Sequence, residues 1–196
     1  MRALQGRHEL QDLVTRVQAA LDTTDCPCGR PPLLVKIAPD LTNADRADVA
    51  AVALRCKVDG LVVGNTTVTR PQGVSAHPAA AETGGLSGQP LFDLSTDVLR
   101  DMYARTGGAL PLVACGGVAS GRQAYAKLRA GASLVELYSG LVRDRVAEYV
   151  CRMYLSRALH VWRASVLSAC AAISPVARCC MRGATGPWQH IQACAP

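Results

Sequence analysis

Two hydrophobic rhythms alternate along the first two-thirds of the chain. Leu10, Leu13, Val14, Val17 and Leu21 recur at helical spacing, which predicts an amphipathic helix over residues 8–22. Leu33-Leu34-Val35-Lys36-Ile37 is a short apolar run with one charge, stopped by Ala38-Pro39-Asp40. That is the pattern of a buried parallel strand. Thr42 with Asp45 predicts a capping box, and Val49, Val52, Ala53 and Cys56 mark the buried stripe of the helix behind it. Leu61-Val62-Val63 reads as the next strand. Leu94, Val98, Leu99, Met102 and Tyr103 form another helical stripe, and Leu112-Val113-Ala114-Cys115 another strand. Ser120 with Gln123 predicts a second capping box, Gly131 the end of that helix, and Leu134 to Tyr138 the last clear strand.

Repeated strand–helix units with continuous apolar strands predict an α/β fold, a parallel sheet with helices outside. Pattern alone leaves open whether the sheet is doubly wound or a piece of a barrel. The connection from residue 65 to residue 91 has no strong period and contains Gly73, Gly84, Gly85 and Gly88. Connections of this length in α/β folds usually carry function.

Composition adds a boundary to this picture. The chain has 196 residues, 49% hydrophobic and 18% charged, which is enough apolar content for a packed core. A whole eight-stranded (β/α) barrel takes roughly 250 residues, so a barrel here would be partial. Residues 1–142 hold 14 basic and 13 acidic residues, a net of +1, whereas residues 143–196 hold 7 arginines and 2 acids, a net of +5. The basicity therefore belongs to the last quarter, and nucleic-acid binding does not follow from the +6 of the whole chain. Residues 143–196 contain both tryptophans, no lysine and no acid after Glu148. This divergent Arg-, Cys- and Ala-rich tail forms a second region, in which residues 149–166 are compatible with a basic amphipathic helix.

The nine cysteines form no regular framework, and Cys26-Pro-Cys28 has the wrong spacing for a redox pair or a zinc knuckle, so no metal is expected. Met1 leads into a polar, charged stretch unlike a secretory signal. The weakly apolar run from Val166 to Ala177 contains Pro175 and is too short to span a bilayer, which takes about 20 residues.

In parallel α/β folds ligands sit at the C-terminal ends of the strands. The polar residues there are Lys36, Gly64-Asn65-Thr66-Thr67, Cys115-Gly116-Gly117 and Tyr138-Ser139-Gly140, with Thr83-Gly84-Gly85-Leu86-Ser87-Gly88 in the long loop. Lys36 inside an apolar strand is either a snorkelling cation or one that stabilises negative charge developing on a ligand. Gly116-Gly117 before a capped helix offers bare backbone N–H groups suited to a phosphate.

The segments LLVKIAPDLT, DGLVVGNTTVTRP, ETGGLSGQPL, LSTDVLRDMYA, PLVACGGVASG and AGASLVELYSGLV resemble successive motifs of dihydroorotate dehydrogenase, in that family's order and spacing. KIAPDL, NTTVTRP and ETGGLSG resemble the quinone-linked, membrane-associated class. The resemblance covers residues 2–142 and includes the LQGRHELQDLVTRV start. It implies the C-terminal half of an FMN-binding (β/α)8 barrel, roughly four βα units. It further implies oxidation of dihydroorotate to orotate, FMN as cofactor, ubiquinone as acceptor and a mitochondrial inner-membrane setting for the full-length family member.

The implied residue roles are these. Lys36 lies at the flavin ring. Gly64 is a flavin-proximal position where the family commonly carries Thr. Ser87, Gly88, Gly116, Gly117, Leu137, Tyr138 and Ser139 contact FMN, chiefly its phosphate and largely through backbone N–H groups. Asn65 and Thr66 hold the orotate ring and its carboxylate. The family's general base is a Ser in an Asn-rich loop, and no residue of this chain matches it. A non-catalytic, ligand-binding role is the other reading. Four strands would leave both sheet edges open and the barrel's inner face uncovered.

Overall fold

Local signals and element boundaries coincide closely in the computed structural model, which describes residues 7–27 and 29–140. The elements are α1 (Arg7–Thr23), β1 (Leu34–Ile37), α2 (Asn43–Arg55), β2 (Gly60–Val63), the short α3 (Gln72–Ser75), α4 (Phe92–Thr106), β3 (Leu112–Cys115), α5 (Gly121–Arg129) and β4 (Leu134–Glu136). The connection from residue 65 to residue 91, which shows no period in the sequence, contains α3 and two 3₁₀ turns, Pro78–Ala81 and Gln89–Leu91. The tail from residue 143, the proposed helix over 149–166 and the Cys26–Cys28 pair lie wholly or partly outside the described residues.

The two predicted caps differ in geometry. At α2 the box is reciprocal: the Asp45 N–H donates to Thr42 Oγ1 at 3.2 Å, and the Thr42 N–H donates to Asp45 Oδ2 at 3.1 Å. Those bonds hold the Asp45 carboxyl below the usual carboxylate range. At α5 the Gln123 N–H donates to Ser120 Oγ, but Gln123 Oε1 accepts from the Ala119 N–H at 2.9 Å instead of from Ser120's. The Gln side chain is one methylene longer than Asp and reaches one residue further back. The chain leaves α5 at Gly131 with φ +107°.

All four strands are parallel, in the sheet order β1-β2-β3-β4. A doubly wound sheet reverses its strand order at a switch point, and here sequential strands are always neighbours. The sheet is therefore wound in one direction, with its helices on one face. The register places Val35, Ile37, Leu61, Val63, Leu112, Ala114 and Val135 on that face. They pack with Leu10 and Val14 of α1, Val49, Val52 and Ala53 of α2, and Val98, Leu99 and Met102 of α4 into one core. Burial of this area is the main stabilising term of the fold.

The opposite face carries Leu34, Lys36, Val62, Val113, Cys115, Leu134 and Glu136. Nothing among the described residues covers it as the helices cover the first. Leu34 is 40% exposed and Leu134 53%. The expectation of a strand at residues 33–37 buried on both sides therefore needs correction, because only Ile37 of β1 is fully buried. The last strand ends at Glu136, two residues short of the predicted Tyr138.

Candidate functional site

A cleft of about 420 Å³ opens at the C-terminal ends of the four strands. All eleven residues to which the resemblance assigns a role line it: Lys36, Gly64, Asn65, Thr66, Ser87, Gly88, Gly116, Gly117, Leu137, Tyr138 and Ser139; Thr67 and residues 83–86 do not. The eleven come from five separate stretches of chain, four at strand ends that parallel pairing brings level and one, Ser87-Gly88, in the long connection. The Asn65 N–H donates to the Ile37 carbonyl at 2.8 Å, and the Gly64 N–H to the Cys115 carbonyl at 3.0 Å, so β2 is locked to both neighbours at the cleft.

The long connection is folded over this end by a polar frame. Thr67, fully buried, donates from Oγ1 to Asp40, and the Val68 N–H donates to the same carboxylate at 3.1 Å. Thr67 and Leu86 exchange two backbone hydrogen bonds of 3.1 and 2.7 Å, which return the loop to its origin. The Arg70 guanidinium then binds the carbonyls of Val68, Thr69, Ala80, Glu82 and Gly84 at 3.0–3.2 Å. Five carbonyls on one planar cation hold the connection in shape without a core of its own. Gly85 is required by close approach, since a Cβ there would lie 1.9 Å from Thr66 Oγ1. At the far side Ser139 Oγ donates to Ser87 Oγ at 2.9 Å, joining the loop to the end of β4.

The floor is formed by Gly116 and Gly117. Gly117 has φ +75°, and a Cβ on it would stand 2.4 Å from the Phe92 backbone nitrogen. Only glycine lets this turn sit against the first residue of α4. The turn runs on into α5, so two helix N-termini converge on the cleft floor, an arrangement that favours negative charge.

The open sheet face supplies the charged wall. Lys36 is exposed into the cleft and is not buried in its strand as expected. Cys115 and Glu136, adjacent in register, also line it. Burial pushes the Cys115 thiol up, with Glu136 adding to the effect and Lys36 opposing it.

Several of these residues have no role assigned from the sequence. Glu136 and Cys115 were visible as strand positions, and their alternation with Val135 and Ala114 places them on Lys36's face. Arg70 had no local signal, because its partners lie up to 14 residues away. Lys127 is fully buried in α5 behind Gly116. It follows Ala124 by three residues on the helix's inner stripe, and a lysine on such a stripe was the available signal.

Comparison with known proteins points one way. The family model for dihydroorotate dehydrogenase matches residues 1–153. The mitochondrial dihydroorotate dehydrogenase (quinone) of Arabidopsis thaliana is 60% identical over 141 residues, 71% of this chain and 31% of the relative. That of Mus musculus is 50% identical over 141 residues, 72% of this chain and 35% of the relative. A solved structure of DHODH from Eimeria tenella in complex with ferulenol matches with a TM-score of 0.74 at 38% identity, over 81% of this chain and 46% of that one. The chain spans about a third of the length of these two curated relatives.

Proposed function

Because the chain belongs to the dihydroorotate dehydrogenase family, we propose that it forms the C-terminal half of an FMN-binding (β/α)8 barrel that oxidises dihydroorotate to orotate in pyrimidine synthesis. The observation that carries this reading is the convergence of eleven residues from five stretches of chain on one cleft. The sequential parallel order β1-β2-β3-β4 with helices on one side supports an arc of a barrel.

The residues present suit a flavin phosphate. The Gly116-Gly117 floor leaves no room for side chains, and two helix N-termini meet there. Gly88, Gly117, Tyr138 and Ser139 would hold the phosphate, chiefly through backbone N–H groups, with Ser87, Gly116 and Leu137 beside them. FMN, when bound, would supply a hydride acceptor for the C6 position of the substrate, and a quinone would be the final acceptor for the whole protein. Lys36 would place its ammonium where negative charge accumulates on the reduced ring, and Gly64 would leave space against that ring. Asn65 and Thr66 would orient the substrate ring and carboxylate, with Thr66 held in place by its contact with Gly85. No residue of this chain matches the family's Ser base, so removal of the C5 proton is assigned to a group beyond these residues. The names of the plant and mouse relatives support a mitochondrial location and a quinone acceptor for the whole protein. Inner-membrane association belongs to the same proposal, and among the described residues no helix is long and apolar enough to cross a membrane.

Transplanting residues 1–141 into the matching segment of the Arabidopsis relative tests the reading. The chimaera should retain FMN and reduce an artificial acceptor with dihydroorotate, and Lys36→Ala in it should cut turnover by about 100-fold or more. A soluble chimaera without flavin would sink the proposal. The 196-residue chain by itself should show no turnover; turnover would place a base among its own residues.

A further inference from the structure

Lys127 is the largest fully buried side chain among the described residues. Its Nζ donates to Ser95 Oγ at 2.6 Å and to the Phe92 carbonyl at 3.5 Å, and lies 5.0 Å from the centroid of the Phe92 ring. Ser95 Oγ in turn has its one proton within reach of the Gly116 carbonyl at 3.0 Å and the Phe92 carbonyl at 3.1 Å. The ammonium is therefore one residue removed from the cleft floor, under the turn that a phosphate would occupy.

A buried cation normally has an anion against it. No carboxylate among the described residues pairs with Lys127. Asp93 and Asp97 act on it only through longer-range electrostatics, and Asp97 is already 2.7 Å from Arg100. The ammonium also sits at the N-terminal end of α4, where a positive charge is repelled by the helix dipole. Two unfavourable placements coincide at one point, and a single dianion in the cleft would relieve both.

We infer that Lys127 is a positioning residue for the phosphate of the bound flavin, acting from behind Gly116 through Ser95. It touches neither the ligand nor the reacting atoms. Its charge raises the potential at the cleft floor, and its bond to Ser95 fixes the direction of the Gly116 carbonyl and hence the N–H groups that follow. Burial pushes Lys127 down to about 8, with Cys115, Asp93 and Asp97 opposing that fall. A phosphate nearby would favour the ammonium further and oppose that fall. The inference rests on the flavin reading and adds to it the origin of selectivity for the phosphorylated form.

The test is binding of FMN and of riboflavin to the 196-residue chain, followed by quenching of flavin fluorescence. The unmodified chain should prefer FMN. Lys127→Met, nearly equal in volume, should weaken FMN by about 10- to 100-fold and leave riboflavin unchanged, since a unit charge at this range acts only on the dianion. Ser95→Ala keeps the charge and removes the link, and should give a smaller loss in the same direction. If Lys127→Met keeps the preference, or weakens both flavins equally, the inference fails while the flavin reading stands. If neither the unmodified chain nor its chimaera with the Arabidopsis relative takes up flavin, the flavin reading itself fails, and the inference with it.

Discussion

The two faces of the sheet obey different rules although their residues alternate along the same strands. On the helix side Ile37, Leu61, Val63, Leu112 and Ala114 are fully buried. On the other side Leu34 and Leu134 stand 40% and 53% exposed beside Lys36, Cys115 and Glu136. Stability resides on the first face and chemistry on the second. The second face is nonetheless apolar at Leu34, Val62, Val113 and Leu134, a composition suited to a covered barrel interior. The contrast explains why each strand reads as continuously hydrophobic.

The largest effect should come from the covered face. Leu61→Ala removes a fully buried side chain from the centre of the core, and should cost about 2–5 kcal/mol in urea unfolding of the chain. A cost below about 1 kcal/mol would mean that the helices do not cover this face in solution.

Next comes the cleft floor, where the two rules meet. Gly117→Ala puts a methyl 2.4 Å from the Phe92 nitrogen at φ +75°. Backbone must shift to admit it, at about 1–3 kcal/mol, and FMN affinity should fall with it. Unchanged unfolding midpoints together with unchanged FMN binding would separate the turn from the phosphate site.

Much of this was legible in the sequence for physical reasons. Helical stripes, the Thr42 cap and short apolar strands are local, so α1, α2, α4 and β3 fall where the periodicity places them. The candidate site was legible because strand ends in a parallel sheet converge, so each strand's last polar residue identifies a wall. What could not be read is set by distance. Arg70 gathers carbonyls spread over the long connection, and Lys127 meets Ser95 across 32 residues. The exposure of Lys36 depends on what covers the second face, which no local pattern states. Tyr138, read as strand, lies beyond the end of β4 and is 76% exposed.

A smaller effect should appear with pH. Lys127 falls from an ordinary 10.5 to about 8, so between those values the unfolded chain holds more protons and stability rises with pH. Cys115 is raised above 9.0 by burial, so above pH 9.0 the folded chain keeps a proton that the unfolded chain loses, and stability falls. The intact chain should therefore gain stability from pH 8 to 9 and level off above that. Cys115→Ser should keep gaining towards pH 10, and Lys127→Met should lose the gain. Urea midpoints across pH 7–10 read all three, and a Lys127→Met profile identical to that of the intact chain would remove Lys127 as the source.

The smallest effect should come from the open face, and it is the sharpest test of the contrast. Leu134→Thr exchanges an exposed leucine on an edge strand for a residue of good strand propensity. In the 196-residue chain it should change the urea midpoint by no more than about 0.5 kcal/mol, as exposed substitutions do. In the chimaera with the Arabidopsis relative, where the missing strands would cover that face, the same substitution should cost about 1–3 kcal/mol, because the hydroxyl would then enter an apolar interior. A large cost in the chain alone would mean that its second face is already covered in solution. A negligible cost in both would mean that this face is never a barrel interior, and the half-barrel reading would go with it.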